Sequence, residues 1–455
     1  MDKRIQWQKL ETVVVLGLGQ SGTSVVRFFV SEHSPLPAEC DIRVYDSREQ
    51  PPSLAEMSKY IDSTQLTTGG WQLEDLLAAD LLVVSPGIDT RDADIQMAKD
   101  AGVPIVGDVE IFAQLNQRPV VAITGSNGKS TVTTLVAQMG QYHGHRWVAA
   151  GNIGVPVLDA LQQDADAYVL ELSSFQLETT QSLALKGAAL LNVSADHLDR
   201  YDSEQAYFEA KLNIFNHAAV SVLNRQDQQH WPMQVPESVV TVGTDGSDSD
   251  YGLNSSEQGM VITRHGNALA AANQFSIAGT HNLVNIQAAL ALAETLDLSA
   301  EQGVKAIEQF TGLPHRCQVV YEANGVRWVD DSKATNIGAT EAAINGLRPV
   351  IEGRLILIAG GDGKGAQFSQ LVPVLTYVDV LLTIGRDGRK IAELRKGARY
   401  CEHLSEAVKT AQQIAEPGDW VVLSPACASL DQFKNFVERG EVFQQSIARL
   451  YERSA

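Results

Sequence analysis

The chain has 455 residues, 44% of them hydrophobic and 20% charged, and 35 Lys and Arg against 55 Asp and Glu leave a formal charge of −20. That length exceeds one hydrophobic core and implies two to four domains. The acidic balance excludes nucleic acid or an anionic membrane as the main partner, because no broad positive field is there to attract polyphosphate. Cys40, Cys317, Cys401 and Cys427 lie far apart without a CxxC pair, which fits a reducing cytoplasm better than a disulfide or zinc framework. No stretch reaches the roughly 18 apolar residues of a membrane span, and residues 1–10 are too polar for a signal peptide. The expectation is a soluble cytoplasmic protein without membrane insertion.

Short buried-strand runs alternate with helical patterns throughout, the signature of an α/β protein with largely parallel sheets. Residues 12–16 predict a strand, 17–22 a glycine turn and 24–30 a helix start. Strands follow at 42–45 and 81–84, and a first unit closes near Gly107. The second unit opens with a strand at 120–123 and continues with strands at 168–170, 188–193 and 220–223. Residues 226–267 are polar and read as surface hairpins outside the core, and 280–296 read as a helix. Gly312-Leu313-Pro314 reads as a linker, followed by strands at 327–329, 355–359, 378–383 and 420–423. The reading is three α/β domains: residues 1–107 Rossmann-like, 108–312 a phosphate-loop ATPase unit, and 313–455 Rossmann-like again.

The sharpest motif is the strand at 120–123 running into Thr124-Gly125-Ser126-Asn127-Gly128-Lys129-Ser130-Thr131. Backbone amides of such a loop and of the helix it opens form an anion cradle. Lys129 adds a charge on terminal phosphates, and Ser130 or Thr131 supplies a hydroxyl for Mg²⁺. Two residues separate Gly125 from Gly128 where the general pattern has four, so the loop is tighter. Gly17-Leu18-Gly19-Gln20-Ser21-Gly22 follows the first strand as a GxGxxG turn, with Asp46 at the end of the second strand. It serves either a nucleotide-type ligand or helix packing alone. A dehydrogenase needs only this turn, and a simple GTPase only the other.

Glu171 and Asp196-His197 follow consecutive strands on the edge that holds the phosphate loop. Singly each reads as a solvated loop residue; together, at strand ends, a carboxylate and an imidazole suit Mg²⁺. On residue pattern alone Lys211 reads as a solvated helix lysine. In the third unit His315-Arg316, Asp330-Asp331-Ser332-Lys333-Ala334-Thr335-Asn336 and Gly360-Gly361-Asp362-Gly363-Lys364-Gly365 mark strand-end loops. The last of these is either a second anion site or a bare turn.

Taken in order, the phosphate loop, Gly151-Asn152-Ile153-Gly154, Glu171-Leu172-Ser173-Ser174-Phe175-Gln176-Leu177, Asp196-His197-Leu198-Asp199-Arg200-Tyr201, His281-Asn282, the Gly360–Gly365 run and Ser424-Pro425-Ala426-Cys427-Ala428-Ser429-Leu430-Asp431-Gln432-Phe433-Lys434-Asn435-Phe436 resemble the Mur ligases of bacterial cell-wall synthesis over essentially the whole chain. The last two runs are similar to those of members that use D-glutamate. The resemblance implies an ATP-dependent, ADP-forming ligase that joins D-glutamate to UDP-N-acetylmuramoyl-L-alanine through an acyl phosphate, acting as a monomer. It implies UDP-sugar contacts at Gln20, Ser21, Asp46, Ser47, Arg48, Gly87 and Asn152. ATP contacts are implied at Gly125, Ser126, Asn127, Gly128, Lys129, Ser130, Thr131, Asn282, Arg316 and Asp330. It places Mg²⁺ at two sites, with Ser130, Thr131 and Glu171 about one and His197 and a carbamylated Lys211 about the other. Lys129, Glu171, His197 and Lys211 would carry catalysis, and Lys333, Thr335, Lys364, Ser429, Leu430 and Phe436 the D-glutamate pocket. Gln20-Ser21 stands where Leu-Thr is common in the family, and Gln367 where Asp is expected.

Overall fold

The fold is given by a computed structural model, which describes residues 4–194, 196, 200–234, 237–246, 248, 250–256, 259–277 and 279–452. Near-continuous apolar runs form its strands, because a strand covered by helices on both faces has no solvent side to make polar. Strands β1 (Thr12–Leu16), β2 (Asp41–Asp46), β3 (Leu66–Thr68), β4 (Leu81–Val84) and β5 (Ile105–Val106) build a parallel sheet in the order β3-β2-β1-β4-β5. The order reverses between β1 and β4, and that switch point opens a crevice at the carboxyl ends of the two strands.

The central sheet is also parallel. It contains β6 (Val120–Thr124), β7 (Trp147–Gly151), β8 (Ala167–Glu171), β9 (Gly187–Leu190), β10 (Ser221–Asn224) and β11 (Val239–Val242), in the order β11-β10-β9-β6-β8-β7. Three antiparallel strands follow, β12 (Tyr251–Ser256), β13 (Gly259–Arg264) and β14 (Asn267–Ala271). The C-terminal sheet holds β15 (Gln318–Ala323), β16 (Val326–Asp330), β17 (Leu355–Gly360), β18 (Val380–Ile384), β19 (Arg399–Tyr400) and β20 (Trp420–Leu423). Its order is β15-β16-β20-β17-β18-β19, with only β15 antiparallel.

Four expectations change. The stretch 226–267 is not all surface hairpin. Its residues Val239–Val242 extend the central sheet, and Tyr251, Leu253 and Ile262 are buried in the central core. Its apolar residues are sparse and alternate, so they amount to a core face only once packed beside helix Thr280–Glu294. The strand expected at 188–193 stops at Leu190, because Asn192 leaves the ladder to exchange two hydrogen bonds with the Asn127 backbone, at 2.9 and 3.0 Å. The glycine turn is shorter than 17–22, since a helix spans Gln20–Phe29. Gly22 lies inside that helix because a Cβ there would meet the Gly17 carbonyl oxygen at 1.8 Å. The fourth change concerns Lys211, which is 1% exposed and not solvated.

The N-terminal and central sheets share one apolar core. Val13, Val15, Phe28, Phe112, Ala122, Tyr168 and Leu170 belong to a single buried cluster. Helix Asp108–Leu115 is the hinge of that packing, with the Phe112 ring edge-on to Tyr168 at 5.1 Å between centroids. The C-terminal domain has its own cores, one on each face of its sheet.

Candidate active site

The loop after β6 and the helix it opens line one wall of a cavity. Gly128 sits at φ +87°, and a Cβ there would come within 2.6 Å of Asn285 Oδ1, so only glycine turns the chain into helix Lys129–Tyr142 at this point. The Lys129 ammonium donates to the carbonyls of Gly125 and Ser126, at 2.7 and 3.0 Å. Burial lowers its pKa, against the pull of Glu171 and Asp196. Ser126 Oγ accepts from the Ser194 amide at 2.9 Å, which ties the loop to the end of the neighbouring strand.

A cavity of about 270 Å³ opens beside this loop. Of the expected residues, its lining brings together Ser126, Asn127, Gly128, Lys129, Ser130, Asn152, Glu171 and Lys211 with Arg316, Lys333, Thr335 and Lys364 of the C-terminal domain. Asp196 and Asn336 line it as well. Glu171 is buried; Oε1 accepts from Asn152 Nδ2 at 2.7 Å, and Oε2 has no hydrogen-bond partner. A buried carboxylate oxygen in that state faces the cavity with unused acceptor capacity.

Lys211, on helix Glu204–Leu212, points inward. Its ammonium donates to the Gly125 carbonyl at 3.1 Å and lies 4.3 Å from the Tyr207 ring centroid. Burial, reinforced by the Lys129 charge, drives its pKa well below the ordinary lysine value. A lowered pKa enlarges the neutral, nucleophilic fraction of such an amine. Lys333 is pushed down to about 8, chiefly by burial, and its ammonium sits 4.2 Å from the Phe436 ring centroid.

The central and C-terminal domains meet across this cavity through polar side chains. Lys364 Nζ pairs with Asp196 Oδ1, and Asn336 Nδ2 donates to Asp196 Oδ2 at 3.1 Å. The side-chain amides of Asn127 and Asn336 face each other at 3.3 and 3.4 Å, and Arg316 Nη2 donates to Ser130 Oγ at 2.7 Å.

A second cavity, about 430 Å³, occupies the crevice of the N-terminal sheet. Gln20, Ser21, Ser47, Arg48, Gly87 and Asn152 line it, so Asn152 borders both cavities. Asp46 stands behind its wall. The carboxylate accepts from the Leu18 amide at 2.7 Å and from the Arg48 amide and guanidinium at 2.7–2.8 Å. Burial raises its pKa, but the Arg48 guanidinium and the amides outweigh that and hold it below the usual carboxylate range.

Some expected residues lie outside both linings. Gly125 contributes its carbonyl, Thr131 is buried as the third residue of helix Lys129–Tyr142, and Asn282 accepts from Asn285, the neighbour of Gly128. Asp330 is fully buried and accepts from His315, Ser332 and Gln444, which makes it a strut of the C-terminal domain. Ser429 is buried, Leu430 is 70% exposed, and Phe436 reaches the cavity only through Lys333. His197 lies outside the described residues. Among the described residues no group of three or more His, Cys, Asp or Glu could hold a metal, and no helix is long and apolar enough to cross a membrane. Arg200, which touches both domains that carry a cavity, was not singled out from sequence; an arginine after an acidic loop carries no local signal of where its fork reaches.

Two Rossmann-like units flanking a phosphate-loop sheet, with a polar cavity between the central and C-terminal ones, define a three-domain architecture of the Mur ligase type. The chain belongs to the Mur ligase family. Residues 11–107 match the model for the Mur ligase MurD-like N-terminal domain, 123–293 the Mur ligase middle domain, and 315–427 the Mur ligase glutamate ligase domain. It is 50% identical to the UDP-N-acetylmuramoylalanine–D-glutamate ligase of Idiomarina loihiensis over 99% of this chain and 100% of that one. It is 44% identical to the ligase of the same name from Vibrio cholerae, over 98% and 99%. In fold it is similar to the UDP-N-acetylmuramate–alanine ligase of Thermotoga maritima, with a TM-score of 0.62 at 18% identity over 98% and 100% of the two chains.

Proposed function

We propose that this chain is an ATP-dependent, ADP-forming ligase that adds D-glutamate to UDP-N-acetylmuramoyl-L-alanine in peptidoglycan precursor synthesis. The observation that carries the reading is the convergence of Lys129, Glu171, Lys211 and the C-terminal Lys333 and Lys364 on one cavity beside the phosphate loop. Identity of 44–50% over nearly the full length to relatives of that name supports the choice of amino acid and acceptor. Residues 1–107 bind the UDP-sugar, 108–312 the ATP and 313–455 the amino acid. The chain works as a cytoplasmic monomer.

The UDP moiety lies in the N-terminal crevice against Gln20, Ser21, Ser47, Arg48 and Gly87, with Asp46 fixing the Arg48 fork. Asn152, shared by both cavities, guides the L-alanyl end towards the phosphate loop. ATP lies along 125–131, where loop amides and Lys129 hold the terminal phosphates; Asn282 and Arg316 serve its nucleoside end, with Asp330 acting behind them as a strut. The L-alanyl carboxylate attacks the γ-phosphorus in line, forming an acyl phosphate and releasing ADP. The neutral amine of D-glutamate then attacks the acyl carbon, loses its proton, and phosphate leaves from the tetrahedral intermediate. Lys333, Thr335 and Lys364, with Ser429, Leu430 and Phe436 around them, hold the D-glutamate carboxylates.

The residues fit Mg²⁺. The unpartnered Glu171 Oε2 and the Ser130 hydroxyl, with Thr131 beside it, suit one ion, and His197 with Lys211 a second. Lys211 would serve there as a carbamate, formed when its deprotonated amine adds to CO₂ and sheds a proton, so that a neutral side chain becomes the negative one a cation needs. Bound Mg²⁺ offsets the charge on the phosphate oxygens.

The test is phosphate release with ATP, Mg²⁺ and UDP-N-acetylmuramoyl-L-alanine, comparing D-glutamate, L-glutamate and no amino acid. Release that needs the UDP-sugar and prefers D-glutamate is expected; release indifferent to either would sink the assignment. A carbamate carbon signal in the ¹³C NMR spectrum after incubation with labelled bicarbonate, lost in Lys211→Ala, checks the modification.

A further inference from the structure

Arg200 belongs to the central domain, yet its guanidinium reaches into the N-terminal one. Nη2 donates to the Ile88 carbonyl at 2.9 Å and Nη1 to the Pro86 carbonyl at 3.4 Å. Those two carbonyls flank Gly87, in the wall of the N-terminal cavity. Asp89 and Glu178 each place a carboxylate oxygen 3.5 Å from the same guanidinium. From the opposite side of the boundary, Arg91 donates to the Arg200 carbonyl and to Asp202 Oδ1, the latter at 3.1 Å. Two arginines thus clasp each other's segments, one with its side chain 11% exposed and the other 48%.

The flat face of Arg200 completes the link. Its Cζ lies 4.6 Å from the centroid of the Phe175 ring, a cation–π distance. Phe175 stacks on Tyr201 at 5.7 Å and 11°, and Tyr201 meets Tyr207 at 5.3 Å. The Tyr207 hydroxyl is 3.3 Å from Ser126 Oγ, and its ring carries Lys211 above it. Phe175 and Tyr207 both line the phosphate cavity. One packed row of side chains therefore runs from the wall of one cavity to the loop of the other.

We propose that Arg200 is a positioning residue for the ligase reaction: it sets the 86–88 backbone against the Phe175–Tyr207 row, so that the carboxylate of the UDP-linked substrate arrives in line with the phosphoryl group. The inference rests on the function proposed above. In-line transfer between substrates held by two different domains is sensitive to placement at the level of one ångström. A planar fork can cap two carbonyls while stacking on an aromatic ring; the point charge of a lysine can satisfy one of them and stacks poorly. The shared apolar core already holds the two domains together, so Arg200 adjusts a wall and does not hold the fold.

Steady-state phosphate release by the full chain tests this, with UDP-N-acetylmuramoyl-L-alanine and ATP varied separately. Arg200→Ala is expected to lower kcat/KM for the UDP-substrate about 100-fold, through both parameters, while KM for ATP stays within about twofold. Arg200→Lys is expected not to restore it. Arg91→Ala, from the half-exposed side of the clasp, shifts the same parameter in the same direction by a smaller factor, roughly threefold, as a solvent-screened contact does. An unchanged kcat/KM for the UDP-substrate in Arg200→Ala, full rescue by lysine, or an equal loss for ATP overturns the proposal. If Arg200→Ala does not fold, Arg91→Ala decides alone, and no shift there overturns it. A wild-type chain that releases phosphate without regard to the UDP-substrate defeats the proposed function, and the parallel wild-type assay reads that separately.

Discussion

The two domain junctions of this chain are built from opposite materials. Between the N-terminal and central sheets runs one continuous apolar core, keyed by Phe112 against Tyr168. Between the central and C-terminal domains, contacts at the cavity are polar: Lys364 to Asp196, Asn336 to Asn127 and Asp196, and Arg316 to Ser130. Apolar packing is dense and has one good arrangement, so it fixes orientation. Polar pairs facing an open cavity exchange partners with solvent or ligand at small net cost. The difference separates a junction that sets geometry from one that can yield: the N-terminal crevice and the phosphate loop rest on one shared apolar core, and the C-terminal domain meets the cavity through exchangeable polar pairs.

The largest expected effect lies at the apolar junction. Phe112→Ala removes a fully buried ring and should cost about 3–5 kcal/mol, read as a lower urea midpoint. If the loss is instead confined to activity, the junction is not the structural one. Lys129→Ala acts at the phosphate loop. It should cut phosphate release about 10²–10³-fold without moving the thermal midpoint.

At the polar junction the balance reverses. Lys364→Met should cost less stability than Phe112→Ala, yet raise KM for D-glutamate about tenfold, the 1.4 kcal/mol expected of one lost charge-assisted bond. A large stability loss with unaltered KM would show that the pair is structural. The last effect is a pH dependence within the C-terminal domain. Burial raises the Asp331 carboxyl to about 7, against hydrogen bonds from Ser424 and the Cys317 amide. The folded state then binds more protons than the unfolded one between about pH 4 and 7, so this group's stabilisation is complete below that window and is lost as pH rises through it. Urea midpoints measured at pH 5 and pH 8 should show the decline, and Asp331→Asn should flatten it.

Much of the molecule is legible in one dimension. Strands Thr12–Leu16, Leu81–Val84 and Trp420–Leu423 stand where their apolar runs place them, because a buried parallel strand needs a local run and little else. The glycine spacing at Gly125 and Gly128 is legible too, since a left-handed turn before a helix admits few other residues. Lys211 is the counterexample. Its helix has weak amphipathic character, so nothing local says that this lysine faces inward to Gly125. Tyr251 and Ile262 were hidden in a polar stretch for the same reason.

The sequence alone determined the three α/β units, the phosphate loop and the family, because each rests on residue type at short spacing, and short-range backbone geometry depends on short-range sequence. Tertiary structure alone decided which side chains share a cavity. Glu171 and Lys364 are 193 positions apart and line the same space. Asp330 lies between them in sequence and turns away into a strut. Arg200 clasps a loop more than one hundred residues upstream. Those outcomes depend on how sheets stack and which helix faces meet, and burial, desolvation and charge pairing exist only once that packing is complete.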